Sequence, residues 1–360
     1  MNAFDPTFQY LPILIEIVTE IDALDDLTAA TDLHHGLTPD CDTHLLWLSN
    51  DSNEDQSRRN SHRLWKNDPK LPGELQTLFE SLQPDIVHTH RFEELITVGH
   101  AARQSGISQI VHSVCGEVTG AENCQLEQFT AVVGELSPLL IAPSEEAAER
   151  LPASAQIEIL PAGVDCERYA PGDQARARRK VGLPGEARII GCASPLHGLE
   201  ALLHSMFRMD GTVHLALFGQ SRPTREQRLL INRLGLDERV HVLGAWARPE
   251  LIFQAIDIYY HGPSGDCLPR AVLAAQACGK ATIACSPTAS RTLCPQTGRL
   301  TPTQYIPTLL HSLQRTLDSS EPELTRQFIL DNWNTAQSLE GYARLFHRIT
   351  ERNPQQRLPA

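Results

Sequence analysis

Two histidines one residue apart, His88 and His90, close the run Pro84-Asp85-Ile86-Val87-His88-Thr89-His90. Alternate residues of a strand share a face, so the two imidazoles can act together. Such a pair invites a metal ion, with His112 or His100 as a further ligand. Against that, no Asp or Glu sits at ligand spacing beside it, and packing is the simpler role. Cys115 follows the next apolar run. It has no sequence-adjacent base to make it a nucleophile, so a small buried thiol is the simpler reading. Asp266 lies just before Pro269 and suits the cap of a helix beginning there. That helix start, with Arg270 beside it, would attract an anion. Arg222 and Arg225 follow Gly219 at the end of another apolar run.

Composition narrows the classes. The chain has 360 residues, 41% hydrophobic and 21% charged, which suits two soluble domains better than one core. The formal charge of −13 argues against nucleic acid, which needs clustered Lys and Arg. Twelve Asp or Glu lie between Asp5 and Asp55 with no Lys or Arg among them, which reads as a solvated acidic face. His34 and His35 fall in that region and read as surface residues. The start Met-Asn-Ala-Phe-Asp lacks the basic residues of a secretory signal, and Leu11 to Val18 is too short to span a bilayer and contains Glu16. A cytoplasmic location is the expectation. The nine cysteines are odd in number and never form a Cys-x-x-Cys pair, the pattern of reduced thiols.

Short β-branched runs alternate with helical patterns throughout, the sequence form of a parallel sheet covered by helices. In the first half the expected strands are Ile13 to Val18, Thr43 to Leu48, Asp85 to His90, Gln109 to Val114, Leu139 to Ala142 and Ile157 to Leu160. Helical spacing marks Ala23 to Leu33 and Glu93 to Gln104. Ser49 to Lys70 is polar and reads as a long loop or insertion. The second half gives strands at Arg188 to Cys192, His214 to Gly219, Val240 to Gly244, Asp257 to Tyr260 and Ala281 to Cys285. Helices are expected near Leu199 to Met209, Arg225 to Leu234, Pro249 to Ile256 and Pro269 to Ala277. Pro249 and Pro269 suit first-turn positions and Gly279 a helix end. Pro161 to Gly172 is the linker. The helices after Glu321 have no strand to follow and must pack back on something already folded. Two α/β halves joined by a linker imply a cleft beyond the carboxyl ends of the strands.

The order of local motifs resembles the retaining nucleotide-sugar glycosyltransferases of the GT-B fold. Pro84 to His90 looks like that family's Pro-Asp-x-x-His-x-His strand end, and Ala142-Pro143-Ser144-Glu145 like the close of its first domain. Pro161-Ala162-Gly163-Val164-Asp165 followed by Arg168-Tyr169-Ala170-Pro171 looks like its interdomain signature. Leu217-Phe218-Gly219 and Arg239 to Gly244 match two strands of its donor domain. The strongest match runs Pro263-Ser264, Leu268 to Leu273 and Ala277-Cys278-Gly279-Lys280. Asn332-Trp333 looks like the segment that crosses back. The resemblance implies two Rossmann-like domains facing across a cleft. Residues 1–163, with crossing-back helices at about 331–360, would form the acceptor side, and 164–330 the donor side.

The resemblance also implies which residues should grip a nucleotide diphosphate, and several are changed. The family's Arg and Lys after the first donor strand fall on Ser194 and His197. Its two Glu eight positions apart fall on Asp266, the expected catalytic position, and Ala274. Its His after the strand ending at Val114 falls on Cys115, which with His88 and His90 would line the acceptor side. The glycine-rich turn after the first strand is missing from Thr19 to Ala23. Losing three or four charge-assisted hydrogen bonds removes on the order of 6–10 kcal/mol, as much as a micromolar ligand has. Gly219, Arg222, Arg225, Cys267, Leu268, Pro269 and Arg270 remain to form the donor site. Two expectations follow. One is sugar transfer from a nucleotide sugar to a saccharide or lipid-linked acceptor, with no cofactor or metal. The other is a catalytically silent pseudo-glycosyltransferase that partners an active enzyme.

Overall fold

A computed structural model describes residues 11–19, 33–49, 60–114, 123–161, 163–193, 196–219, 222–244, 248–263, 269–301, 305–318 and 321–351. The first sheet comprises β1 (Ile13–Thr19), β2 (Asp42–Ser49), β3 (Ser61–Trp65), β4 (Ile86–Thr89), β5 (Gln109–Ser113), β6 (Leu139–Ala142) and β7 (Gln156–Ile159). Its order is β3-β2-β1-β4-β5-β6-β7 with every pair parallel. The second comprises β8 (Arg188–Ala193), β9 (Val213–Phe218), β10 (Val240–Gly244), β11 (Ile258–His261), β12 (Ala281–Ala284) and β13 (Arg299–Leu300). Its order is β10-β9-β8-β11-β12-β13, again all parallel. Each order reverses beside its first strand, at β1/β4 and at β8/β11, and that reversal is where an open parallel sheet takes its ligand.

Alternation along the central strands sends neighbouring residues to opposite cores. Ile15, Ile17 and Val87 pack on Leu75 and Phe79 of α1 (Leu71–Leu82) and on Leu95 and Val98 of α2 (Phe92–Gln104). Leu14, Ile86, Val111 and Ile141 face the other way and pack on Tyr342 and Phe346 of α12 (Thr335–Glu351). In the second sheet Ile189, Phe218 and Tyr259 meet α8 (Pro249–Ala255) and α9 (Arg270–Ala277). Ile190, Leu215 and Tyr260 meet α6 (Leu199–Phe207) and α10 (Ile306–Asp318).

Several details differ from the sequence expectation. Ser49 to Lys70 is not all loop, because residues 61–65 form β3 at the sheet edge. Ser-His-Arg-Leu-Trp is polar because an edge strand is only partly covered, so its pattern is weak. Pro269 is not the first helical residue; it is the cap residue before Arg270, with extended backbone at φ −75°, ψ 96°. Pro249 does open its helix. Gly279 closes α9 with φ +77°, the left-handed region that glycine enters without strain. Most of Ala23 to Leu33 lies outside the described residues.

The two halves are joined by two adjacent crossings. Val164 lies in a parallel bridge with Asn334, its N–H donating to the Trp333 carbonyl at 2.8 Å and its carbonyl accepting from the Thr335 N–H at 3.1 Å. A Cβ on Gly163 would come within 2.5 Å of the Thr335 backbone, so only glycine permits this approach. Arg326 of α11 (Pro322–Asn332) fixes the linker from behind, donating to the carbonyls of Tyr169, Ala277 and Cys166.

Candidate active site at two switch points

The expectation of no carboxylate beside the histidine pair is corrected by the fold. Glu16, from the middle of β1, is the direct cross-strand partner of His88 in β4. Its Oε1 lies 3.0 Å from His88 Nδ1 and its Oε2 2.8 Å from His90 Nε2. His88 Nε2 continues at 2.8 Å to Ser113 Oγ, which lies 3.1 Å from the Tyr342 hydroxyl. All five side chains are buried, Glu16 and His88 completely. Glu16 is therefore no part of a solvated acidic face. Burial alone would raise its pKa, but the two imidazoles outweigh that and hold it at about 2. One ligand atom from each of Glu16, His88 and His90 lies within 4.8 Å of the others, a spacing open to a divalent ion as well as to hydrogen bonds.

The neighbouring His112 turns to the other face and meets Thr89 Oγ1 through Nδ1 at 2.9 Å. Burial, reinforced by His90 and His88, drives its pKa down to about 3. The sign is fixed: between 6.5 and 3 the unfolded chain binds a proton that the folded chain refuses. Stability is full above pH 6.5 and drains as pH falls toward 3, and Glu16 adds a second loss between 4.5 and 2. The first loss amounts to on the order of 5 kcal/mol when complete. His34, His62, His214 and His241 are also shifted down, chiefly by burial, and act in the same direction. Urea unfolding at pH 7.5 and 4.5 should show the decline, and His112→Asn should make it shallower.

At the second switch point the edge is built from backbone. Gly219 follows β9 with φ +100° and donates to the Gly244 carbonyl at 3.0 Å. Gly262 follows β11, and the carbonyl of His197 presses on it where a Cβ would stand. The His197 side chain itself is exposed. Arg222 and Arg225 are exposed as well, Arg225 opening α7 (Arg225–Arg233) behind a Thr224–Gln227 capping box. Arg270 instead turns to the linker, where its Nη2 donates to the Gly163 carbonyl at 3.0 Å. Ala274 is packed in the core of its domain. Cys115, Ser194, Asp266, Cys267 and Leu268 lie outside the described residues. The thiols of Cys41, Cys192 and Cys278 are buried and pushed up to about 12, as expected of inert reduced cysteines.

Two parallel sheets of this order, bridged at the linker and recrossed by the last helix, define the GT-B fold. The fold is shared with sucrose-phosphate synthase from Thermosynechococcus elongatus, at a TM-score of 0.77 and 19% identity over 96% of this chain and all of that one. It is also shared with Anabaena HepE in complex with UDP-glucose, at 0.75 and 17% over 94% of this chain and all of that one. In sequence the chain is similar to D-inositol 3-phosphate glycosyltransferases. It is 26% identical to that of Mycobacterium ulcerans over 225 residues, 56% of this chain and 48% of the relative. The figure for Stackebrandtia nassauensis is 28% over 242 residues, 57% and 54%. The chain thus spans about half the length of the curated relatives it matches, and no protein-family model matches it. The resemblance to GT-B glycosyltransferases read from the motifs is borne out on both counts. Among the described residues no helix is long and apolar enough to cross a membrane.

Proposed function

We propose that the protein transfers a sugar from a nucleoside-diphosphate sugar to a polyhydroxylated acceptor, a saccharide, lipid-linked saccharide or cyclitol. The observation that supports this most is the donor-side edge made of backbone. Gly219 at φ +100° and Gly262, whose missing Cβ makes room for the His197 carbonyl, set the backbone at the carboxyl ends of β9 and β11. The start of α9 adds N–H groups that no side-chain replacement removes. In the transfer the acceptor oxygen bonds to the anomeric carbon as the bond from that carbon to the diphosphate oxygen breaks. Charge gathers on the leaving diphosphate, and the α9 N-terminus with Arg222 and Arg225 is the electropositive side of the cleft. This route assigns no step to a resident metal or cofactor. UDP-glucose, bound in the Anabaena HepE structure, is the natural first donor to test.

A thermal-shift screen of UDP, GDP, ADP and TDP sugars is the decisive measurement. A true donor at a hundred times its Kd should stabilise the fold by about 2.7 kcal/mol. No shift with any of them sinks the proposal. Binding without turnover toward any polyol acceptor favours the silent pseudo-glycosyltransferase.

A further inference from the structure

The network around Glu16 leaves one atom over. An ionised carboxylate only accepts hydrogen bonds, so both ring nitrogens that face it, His88 Nδ1 and His90 Nε2, must carry hydrogens. A neutral imidazole has a single N–H, which assigns the other nitrogen of each ring as a bare acceptor. For His88 that acceptor, Nε2, is satisfied by the Ser113 hydroxyl. For His90 it is Nδ1, and this atom is buried with no hydrogen-bond partner among the described residues. A buried, unpaired imidazole nitrogen is costly and signals a missing partner.

The ring that carries it is held from both ends. Its Nε2 is fixed on Glu16, and the His90 backbone N–H donates to Glu94 Oε2 at 2.9 Å, at the start of α2. Glu94 also accepts from the Arg91 N–H, so the turn out of β4 has little freedom. His90 is the first residue beyond β4, at the carboxyl edge and beside the β1/β4 reversal, where an open sheet takes its ligand. The partner that fits is a hydroxyl donor, because a bare Nδ1 accepts one hydrogen and the two carboxylates beside the ring, Glu16 and Glu94, each already accept two hydrogen bonds.

We infer that Glu16 fixes His90 in the Nε2–H tautomer, so that its bare Nδ1 takes a hydrogen bond from a hydroxyl of the acceptor substrate. The substrate class rests on the transfer proposed above; the tautomer does not. Glu16 is a positioning residue here, and His90 touches the acceptor.

The test uses the full chain labelled with 15N-histidine. Long-range 1H–15N spectra at pH 8, with His90→Gln for assignment, should show His90 protonated at Nε2 alone. Titration with myo-inositol or methyl glucoside should move the His90 Nδ1 resonance. The Gln of His90→Gln can still donate to Glu16 but offers nothing at the Nδ1 position. That variant should raise the acceptor KM about tenfold while leaving the donor KM within about twofold of wild type. Glu16→Gln accepts from only one imidazole, so one of the two rings should change tautomer. A wild-type His90 protonated at Nδ1 overturns the inference. So does an Nδ1 resonance that neither polyol moves, a donor KM that rises with the acceptor KM, or one tightly bound metal ion per chain that His90→Gln releases. A protein that turns over no nucleotide sugar retires the transfer proposal alone, because the tautomer and the polyol titration are read without turnover.

Discussion

Asp257→Ala should destabilise the second domain by about 3 kcal/mol, the lower end of what breaking a buried ion pair costs. Asp257 ends the loop into β11, where its Oδ2 accepts from Arg178 Nη2 at 2.7 Å and from the Ile189 N–H at 2.6 Å. Its Oδ1 accepts from Gln174 Nε2 at 3.1 Å. Arg178, in α5 (Gln174–Val181), is buried and reaches this carboxylate together with the carbonyls of Ala255 and Gly185. With Asp257 gone, the guanidinium keeps two carbonyls but loses its counter-charge. Asp257 is partly exposed, so water reaches the vacated side, which sets the loss at the low end. At roughly 2–4 °C per kcal/mol for a domain of this size, the transition should fall by about 6–12 °C. Replacing both partners, Arg178→Met with Asp257→Ala, should recover part of the loss, since the charge needing a partner is then removed as well. Urea unfolding of the three variants checks this. A single-variant loss below about 1 kcal/mol would mean that the pair is not the anchor of α5.

Gly262→Ala should act on function more than on stability. The new methyl group would meet the carbonyl oxygen of His197, a backbone atom that cannot rotate away. Either the loop after β8 or the chain leaving β11 must move, and both border the donor side proposed above. Overpacking of this kind costs about 1–3 kcal/mol of stability. A displacement of about 1 Å at such a site can lower turnover about a hundredfold. Gly185→Ala and Gly211→Ala are suitable controls, since nothing lies within 4 Å of either added methyl. They should change stability by no more than about 1 kcal/mol, in either direction. The proposal for Gly262 fails if the variant binds and turns over its nucleotide sugar as the wild type does.

The buried strands were legible because burial on both faces demands near-continuous apolar runs, as in Leu139 to Ala142. β3 was not, because half of an edge strand faces water and a polar sequence suffices. Pro269 was placed one residue too far into its helix, since a proline preference alone does not separate the cap from the first turn. The relay was half legible. The His-x-His spacing showed one side, but Glu16 lies 72 positions before His88 and meets it only because β1 and β4 are neighbours. A signal was nevertheless present: a lone Glu inside Ile-Leu-Ile-Glu-Ile-Val must be paired if that run is a central strand. The edge proposed as the donor side was legible as backbone, through Gly219 and the helix start near Pro269. Side-chain direction was not, and Arg270 illustrates it by turning toward the linker.

The placement of α12 has a consequence for how the chain is made. Tyr342, Leu345 and Phe346 complete the core over Leu14, Ile86 and Val111, at the far end of the sequence from β1. On the ribosome the first half therefore emerges before the part of this core that α12 supplies, with Leu33, Leu37 and Cys41 already at hand to begin it. Until α12 docks, Leu14, Ile86 and Val111 lack the apolar side chains of Tyr342, Leu345 and Phe346, and the nascent first half offers a target for chaperones.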